Sequence, residues 1–246
     1  MDANLSKLFT LLRSEIHVWQ AYYDETWPRQ DKLYATLSSD ERLCAERFYF
    51  PQDTSHYIFS HGILRYVLGK YLFLSPEDIH FHYNRHAKPY LSAAIDRQVL
   101  SFNMSHSGQW VLIAVAQGRE VGIDVEKIRI RDHLHQIAEY FFSPQEYTAL
   151  TAMPAEQRVE AFFTYWTRRE AYLKALGVGI SGVLDSVDLP VSDGKPVFLV
   201  AGEASAREDC WRYVGFRPAP EYMAAVVVEG DDWELKRFIL EGEMES

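Results

Sequence analysis

The sequence predicts an α+β protein made of two similar halves, and three observations carry that reading. WVLIAVAQG (residues 110 to 118) and YMAAVVVEG (222 to 230) match in length and apolar character. Each is preceded at a similar distance by a Lys-Pro pair, Lys88-Pro89 and Lys195-Pro196. Each pair in turn follows a predicted helix, one ending LRYVLG (64 to 69) and the other LKALG (173 to 177). Helix, Lys-Pro and terminal strand occur twice in the same order, as an internal duplication would leave them. The expected division is 1–118 and 119–246, with a ligand cleft at the junction.

The elements follow from local chemistry. Ile16 to Tyr22 reads as a strand, and Ser38-Ser39-Asp40-Glu41 has the Ser-x-x-Glu pattern that caps a helix start. Apolar positions from Tyr57 to Leu72 suit a longer helix. After the Ser75-Pro76 break come short strands near Ile79 to Tyr83, Val99 to Met104, Trp110 to Ala116 and Val121 to Glu126. Ser143-Pro144-Gln145-Glu146 repeats the capping pattern with proline in the first helical turn. The helix after Pro154 is expected to stop at Gly177 or Gly179, and Tyr222 to Glu229 reads as a late strand.

Composition narrows the function. With 48% hydrophobic residues in 246, the chain fills a core. The formal charge of −10 argues against a nucleic-acid binder, which needs a dense basic surface. The longest apolar run, Val111 to Ala116, is far short of the about 20 residues that span a bilayer. Lys7, Arg13 and Glu15 interrupt the apolar positions of the N-terminal segment, unlike a signal peptide. A cytoplasmic protein with no membrane partner is expected. Cys44 and Cys210 match no zinc or disulfide spacing and read as packing residues.

Three segments carry chemistry. In VGIDVE (121 to 126) strand alternation puts Ile123 and Val125 on one face and Asp124 and Glu126 on the other. Acids so placed repel unless a cation lies between them, although a half-exposed strand with acids toward water has the same pattern. In YWTRREAYLKALGVGI (165 to 180) helical spacing brings Trp166, Glu170 and Lys174 to one face. An exposed ion pair is the plain alternative, but Trp166 points to partial burial. In FNMSHSG (102 to 108), Ser105 and His106 point to opposite faces and so make no nucleophile and base pair. They suit either an anion contact or a polar turn separate from the acids. The carboxylates Asp124, Glu126 and Glu170, with no His or Cys among them, suit a hard cation such as Mg²⁺.

Taken in order, FNxSHS, GIDxE, FFSxxE (Phe141 to Glu146) and WTxxEAxxKxxGxG (Trp166 to Gly179) resemble the surfactin-type (Sfp-type) 4′-phosphopantetheinyl transferases, over roughly residues 38 to 182. The resemblance implies a pseudo-dimer of two α+β halves, each a small, mostly antiparallel sheet with a long helix, and an active site at their junction. It implies Mg²⁺-dependent transfer of the 4′-phosphopantetheine group from coenzyme A to a serine of an apo acyl or peptidyl carrier protein, releasing adenosine 3′,5′-bisphosphate. Asp124, Glu126 and Glu170 would hold the metal; Lys174 would neutralise or protonate the leaving group; His106 and Ser105 would bind phosphate; Lys88 would line the nucleotide site. Glu170 or a metal-bound water is the candidate base. Glu41 and Cys44 stand where some relatives carry lysines for the coenzyme A 3′-phosphate, leaving Arg42, Arg47 and His56 as candidates for that contact. A basic carrier-docking patch is expected among Arg129, Arg131, Arg168 and Arg169. With the acid pair in one half only, a monomer with one active site is expected. An inactive coenzyme A or carrier-binding module, and a metal-dependent phosphohydrolase, are the competing readings.

Overall fold

In the computed structural model, residues 9–24, 30–92, 99–130, 133–178, 197–198 and 210–240 are described. The first half holds β1 (Glu15–Tyr22), α1 (Gln30–Thr36), α2 (Ser39–Ala45), α3 (Pro51–Leu72), β2 (Phe81–Tyr83), β3 (Pro89–Leu91), β4 (Leu100–Ser107) and β5 (Trp110–Gln117). The second holds β6 (Val121–Lys127), α4 (Leu134–Phe141), α5 (Pro144–Ala152), α6 (Ala155–Leu176), β7 (Val197–Phe198), β8 (Cys210–Phe216), β9 (Tyr222–Glu229) and β10 (Glu234–Leu240). Both capping boxes form as expected. Ser38 Oγ accepts the Glu41 N–H and the Glu41 carboxylate accepts the Ser38 N–H; Ser143 and Glu146 do the same. No described helix is long and apolar enough to cross a membrane.

The duplication is visible in topology. One sheet has the order β10-β1-β5-β4 and the other β6-β9-β8-β7, so β1, β5 and β4 correspond to β6, β9 and β8. The long helices α3 and α6 are each 22 residues. Side-chain alternation decides the layering. Val111, Ile113 and Val115 of β5 pack with Phe59, Ile63 and Val67 of α3. Leu112, Ala114 and Ala116 face the other way, onto Val121, Ile123, Val125 and the inner residues of β9. Ala225 and Val227 of β9 meet Ala171 and Ala175 of α6. The result is helix, sheet, sheet, helix, with the two sheets sharing the central apolar core.

Each long helix ends on a left-handed residue: Phe73 at φ 55° after α3, and Gly177 at φ 65° after α6. Glycine adopts that conformation freely, whereas an L side chain pays a steric cost there. Phe73 is 79% exposed and forfeits little packing when trimmed. Phe73→Gly is therefore expected to stabilise the protein by about 0.5–1 kcal/mol, seen as a higher midpoint in urea unfolding at unchanged slope. A lowered midpoint would show that the Phe73 ring contributes packing.

Four expectations need correction. The strand containing FNMSHS does not end at Met104; β4 stays paired with β5 as far as Ser107↔Trp110, and its polar Asn103, Ser105 and Ser107 find partners across the seam described below. Cys44 is exposed on α2 rather than packed, and the side chain of Cys210 lies outside the described residues. Arg168 and Arg169 are buried, so they form no docking surface. Finally, β10 belongs to the second half by sequence, yet it pairs parallel with β1 from Glu15↔Glu234 to Ala21↔Leu240. Lys236 pairs with Glu15, and the buried His17 bridges Glu15 Oε2 (3.2 Å) and the Tyr71 hydroxyl (2.6 Å).

Candidate active site

The site lies where β6 faces α6. Val121, Ile123 and Val125 are committed to the core between the sheets, so Gly122, Asp124 and Glu126 turn toward the helix. Gly122 marks the closest approach: a Cβ there would fall 2.0 Å from the Ala171 carbonyl oxygen. On α6 the four-residue spacing presents Trp166, Glu170 and Lys174 to the same space, as expected. Met104, Ser105, His106, Asp124, Glu126, Trp166, Glu170 and Lys174 line one pocket of about 340 Å³. The first half contributes its wall through β4, the second through β6 and α6.

The seam between halves is built from side chains. Both β4 and β6 are edge strands of their sheets, and an edge leaves backbone groups without a ladder. Here the N–H groups of Ile123, Val125 and Lys127 donate to Asn103 Oδ1 (2.9 Å), Ser105 Oγ (3.3 Å) and Ser107 Oγ (3.0 Å). Ser105 also donates to Asp124 Oδ1 at 2.9 Å. It is thus joined to the carboxylates, not separate from them as the sequence suggested. Lys174 Nζ donates to Asp124 Oδ1 at 2.6 Å and to Ser105 Oγ at 3.0 Å.

Electrostatics concentrate on these groups. Burial raises the pKa of Asp124, and the Lys174 ammonium and the Ser105 hydroxyl oppose part of that rise. Its Oδ2 is buried with no hydrogen-bond partner among the described residues. Glu170 is pushed up to about 7, first by burial and then by the Asp124 charge, with Lys174 pulling the other way. At the open rim, His106 has a lowered pKa because surrounding protein, then Lys174 and His56, disfavour its cation. Among the described residues, no three His, Cys, Asp or Glu side chains are gathered into a ready metal cluster. The donor chemistry still fits a hard cation: three carboxylates on one pocket, and an orphaned buried oxygen on Asp124.

Other expected site residues stand apart from the pocket lining. Lys88 Nζ bonds Glu120 Oε2 and the Ala175 carbonyl, both at 2.9 Å. Together with Asn84, which donates to the Gly177 carbonyl at 2.9 Å, it satisfies the C-terminal carbonyls of α6. Arg42 donates to the Ala35 carbonyl and lies over the Tyr34 ring, turned toward α1. Arg47 is exposed between α2 and α3. His56 packs edge-on to Tyr23, and its charge acts on His106. Of the expected docking arginines, Arg129 is exposed and Arg131 lies outside the described residues. Arg169 instead pairs with Glu146 in the interior, and Arg168 stacks over Tyr213.

Sequence comparison agrees with this arrangement. A family model described as "4′-phosphopantetheinyl transferase, N-terminal" matches residues 19–118, and one described as "4′-phosphopantetheinyl transferase superfamily" matches 120–227. The 4′-phosphopantetheinyl transferase HetI of Nostoc sp. is 39% identical over 227 residues, 92% of this chain and 93% of the relative. A 4′-phosphopantetheinyl transferase of Bacillus subtilis is 34% identical over 67% of this chain and 70% of its own length. Sfp of Bacillus subtilis (strain 168) is 29% identical over 69% and 74%. With near full-length similarity to HetI and a pocket formed at the junction of the two matched segments, the chain belongs to the 4′-phosphopantetheinyl transferase superfamily.

Proposed function

We propose that the protein transfers the 4′-phosphopantetheine group of coenzyme A to a serine hydroxyl of an apo acyl or peptidyl carrier protein, in a Mg²⁺-dependent reaction that releases adenosine 3′,5′-bisphosphate. The observation that carries this reading is the convergence of Asp124, Glu126, Glu170, Lys174 and His106 on one pocket walled by both halves. Asp124, Glu126 and Glu170 would hold Mg²⁺, which supplies charge stabilisation for the coenzyme A diphosphate.

The chain's own residues do the rest. Glu170, which faces the pocket from α6, takes the proton of the incoming serine. The serine oxygen bonds to the phosphorus nearer the pantetheine arm, and the bond from that phosphorus to the bridging oxygen breaks. Lys174, anchored by Asp124 and Ser105, neutralises the departing bisphosphate. His106 at the rim contacts phosphate oxygens. Since one chain supplies both walls, a monomer is sufficient, and we place it in the cytoplasm with its two substrates.

Intact-mass spectrometry tests the reading. An apo acyl carrier protein incubated with the protein, coenzyme A and Mg²⁺ should gain about 340 Da, the mass of the transferred group in this chemistry, and EDTA should abolish the gain. Phosphate release from coenzyme A without any gain on several carriers would favour a phosphohydrolase. Coenzyme A binding without turnover would favour an inactive binding module.

A further inference from the structure

The three side chains that stitch β4 to β6 do not play equal parts. Asn103, Ser105 and Ser107 alternate along β4, and their oxygens accept N–H groups of residues exactly twenty positions later, Ile123, Val125 and Lys127. The two serines have a hydroxyl proton left to give. Ser105 gives it to Asp124 (2.9 Å) and Ser107 gives it to Glu126 Oε2 (3.0 Å). Each serine therefore ties together a backbone N–H and the side-chain carboxylate of the residue before it. A hydroxyl serving one acceptor and one donor at once has its rotamer set from both sides. The carboxylate it holds is then oriented by the backbone of its own strand.

Beyond accepting the Lys127 N–H at the seam, Ser107 takes no part in the reaction roles proposed above. Glu126 is the acid nearest the end of β6 and only partly buried, and Ser107 fixes the direction of one of its carboxylate oxygens. We infer that Ser107 is a positioning residue, which holds the Glu126 carboxylate turned into the pocket in the orientation that the cation site requires. The inference rests on the metal-assisted transfer proposed above. It assigns Ser107 a role through Glu126, without contact to the reacting atoms. Groups that hydrogen-bond metal-ligating carboxylates typically contribute about 10–100-fold to metal affinity.

The test measures metal binding apart from turnover. Mn²⁺, as a probe for Mg²⁺, is titrated into the full-length protein with coenzyme A present, and free Mn²⁺ is read by electron paramagnetic resonance. Ser107→Ala is expected to weaken Mn²⁺ binding about tenfold, whereas Ser107→Thr, which keeps the hydroxyl, should restore it to within about twofold. In a Glu126→Gln background, adding Ser107→Ala should cause no further loss, because the group it orients is already gone. An unchanged affinity in Ser107→Ala would overturn the inference. So would an equal loss in both backgrounds, since that assigns the effect to the Lys127 N–H and the seam rather than to Glu126. If the unmodified protein with coenzyme A binds no Mn²⁺, the metal reading fails first and takes this inference with it.

Discussion

Asp124→Asn is expected to lower kcat/KM for phosphopantetheine transfer by about 10²–10³-fold, the usual loss when one preorganised electrostatic group is removed from a water-poor site. Asparagine is nearly the same shape, and its amide oxygen can still accept from Ser105 and Lys174. What disappears is the charge. Lys174 loses the anion that holds it 2.6 Å away, and the buried Oδ2, which has no hydrogen-bond partner among the described residues, becomes an amide position unable to meet a cation. In the proposed reaction the charge would act as the diphosphate bond breaks and not only when coenzyme A binds, so most of the loss should fall in kcat. Steady-state kinetics on the intact-mass assay, with the unfolding midpoint as a folding control, measures it. Activity within twofold of the unmodified protein would show that the carboxylates between β6 and α6 are not the reaction site.

The same residues show how far a sequence speaks for a structure. Local rules were legible: both Ser-x-x-Glu boxes cap helices, Gly177 ends α6, and strand alternation sends Ile123 to the core and Asp124 to the pocket wall. The helical face of Trp166, Glu170 and Lys174 was legible for the same reason, since its period lies within a few turns. Long-range partners were not. Arg168 and Arg169 read as exposed charges because nothing nearby reveals Tyr213 and Glu146, which lie 45 and 23 positions away and allow their burial. The seam was hidden likewise: FNMSHS looks like a strand decaying into a turn unless β6 is already known to offer three unpaired N–H groups. The return of β10 to β1 had no local signal, as a parallel pairing across more than 200 residues is decided by the whole core. Lys88 was expected along the nucleotide site, and its ammonium bonds Glu120 and the Ala175 carbonyl at the end of α6.

Gly122→Ala is the second large effect, and it tests the geometry without touching a charged group. The added Cβ would meet the Ala171 carbonyl oxygen at 2.0 Å, the Ala175 nitrogen at 2.4 Å and the Ala175 Cα at 3.0 Å. All three are backbone atoms of α6, so no side chain can swing aside. The helix must retreat from β6, and the contact it loses lies between Glu170 and Lys174 on one side and Asp124 on the other. Overpacking of this kind costs about 1–3 kcal/mol of stability, and a shift of about 1 Å at a reacting centre costs on the order of 100-fold in rate. Gly215→Ala supplies the control: it lies on β8 in the same sheet, and among the described residues its added Cβ would meet only the Ala224 carbonyl oxygen, at 3.9 Å. Thermal unfolding should separate the two variants, and transfer assayed well below both midpoints should separate them again, with Gly215→Ala close to the unmodified rate. If Gly122→Ala kept both its midpoint and its rate, β6 and α6 could not be packed as closely as the shared site of Asp124, Glu170 and Lys174 demands.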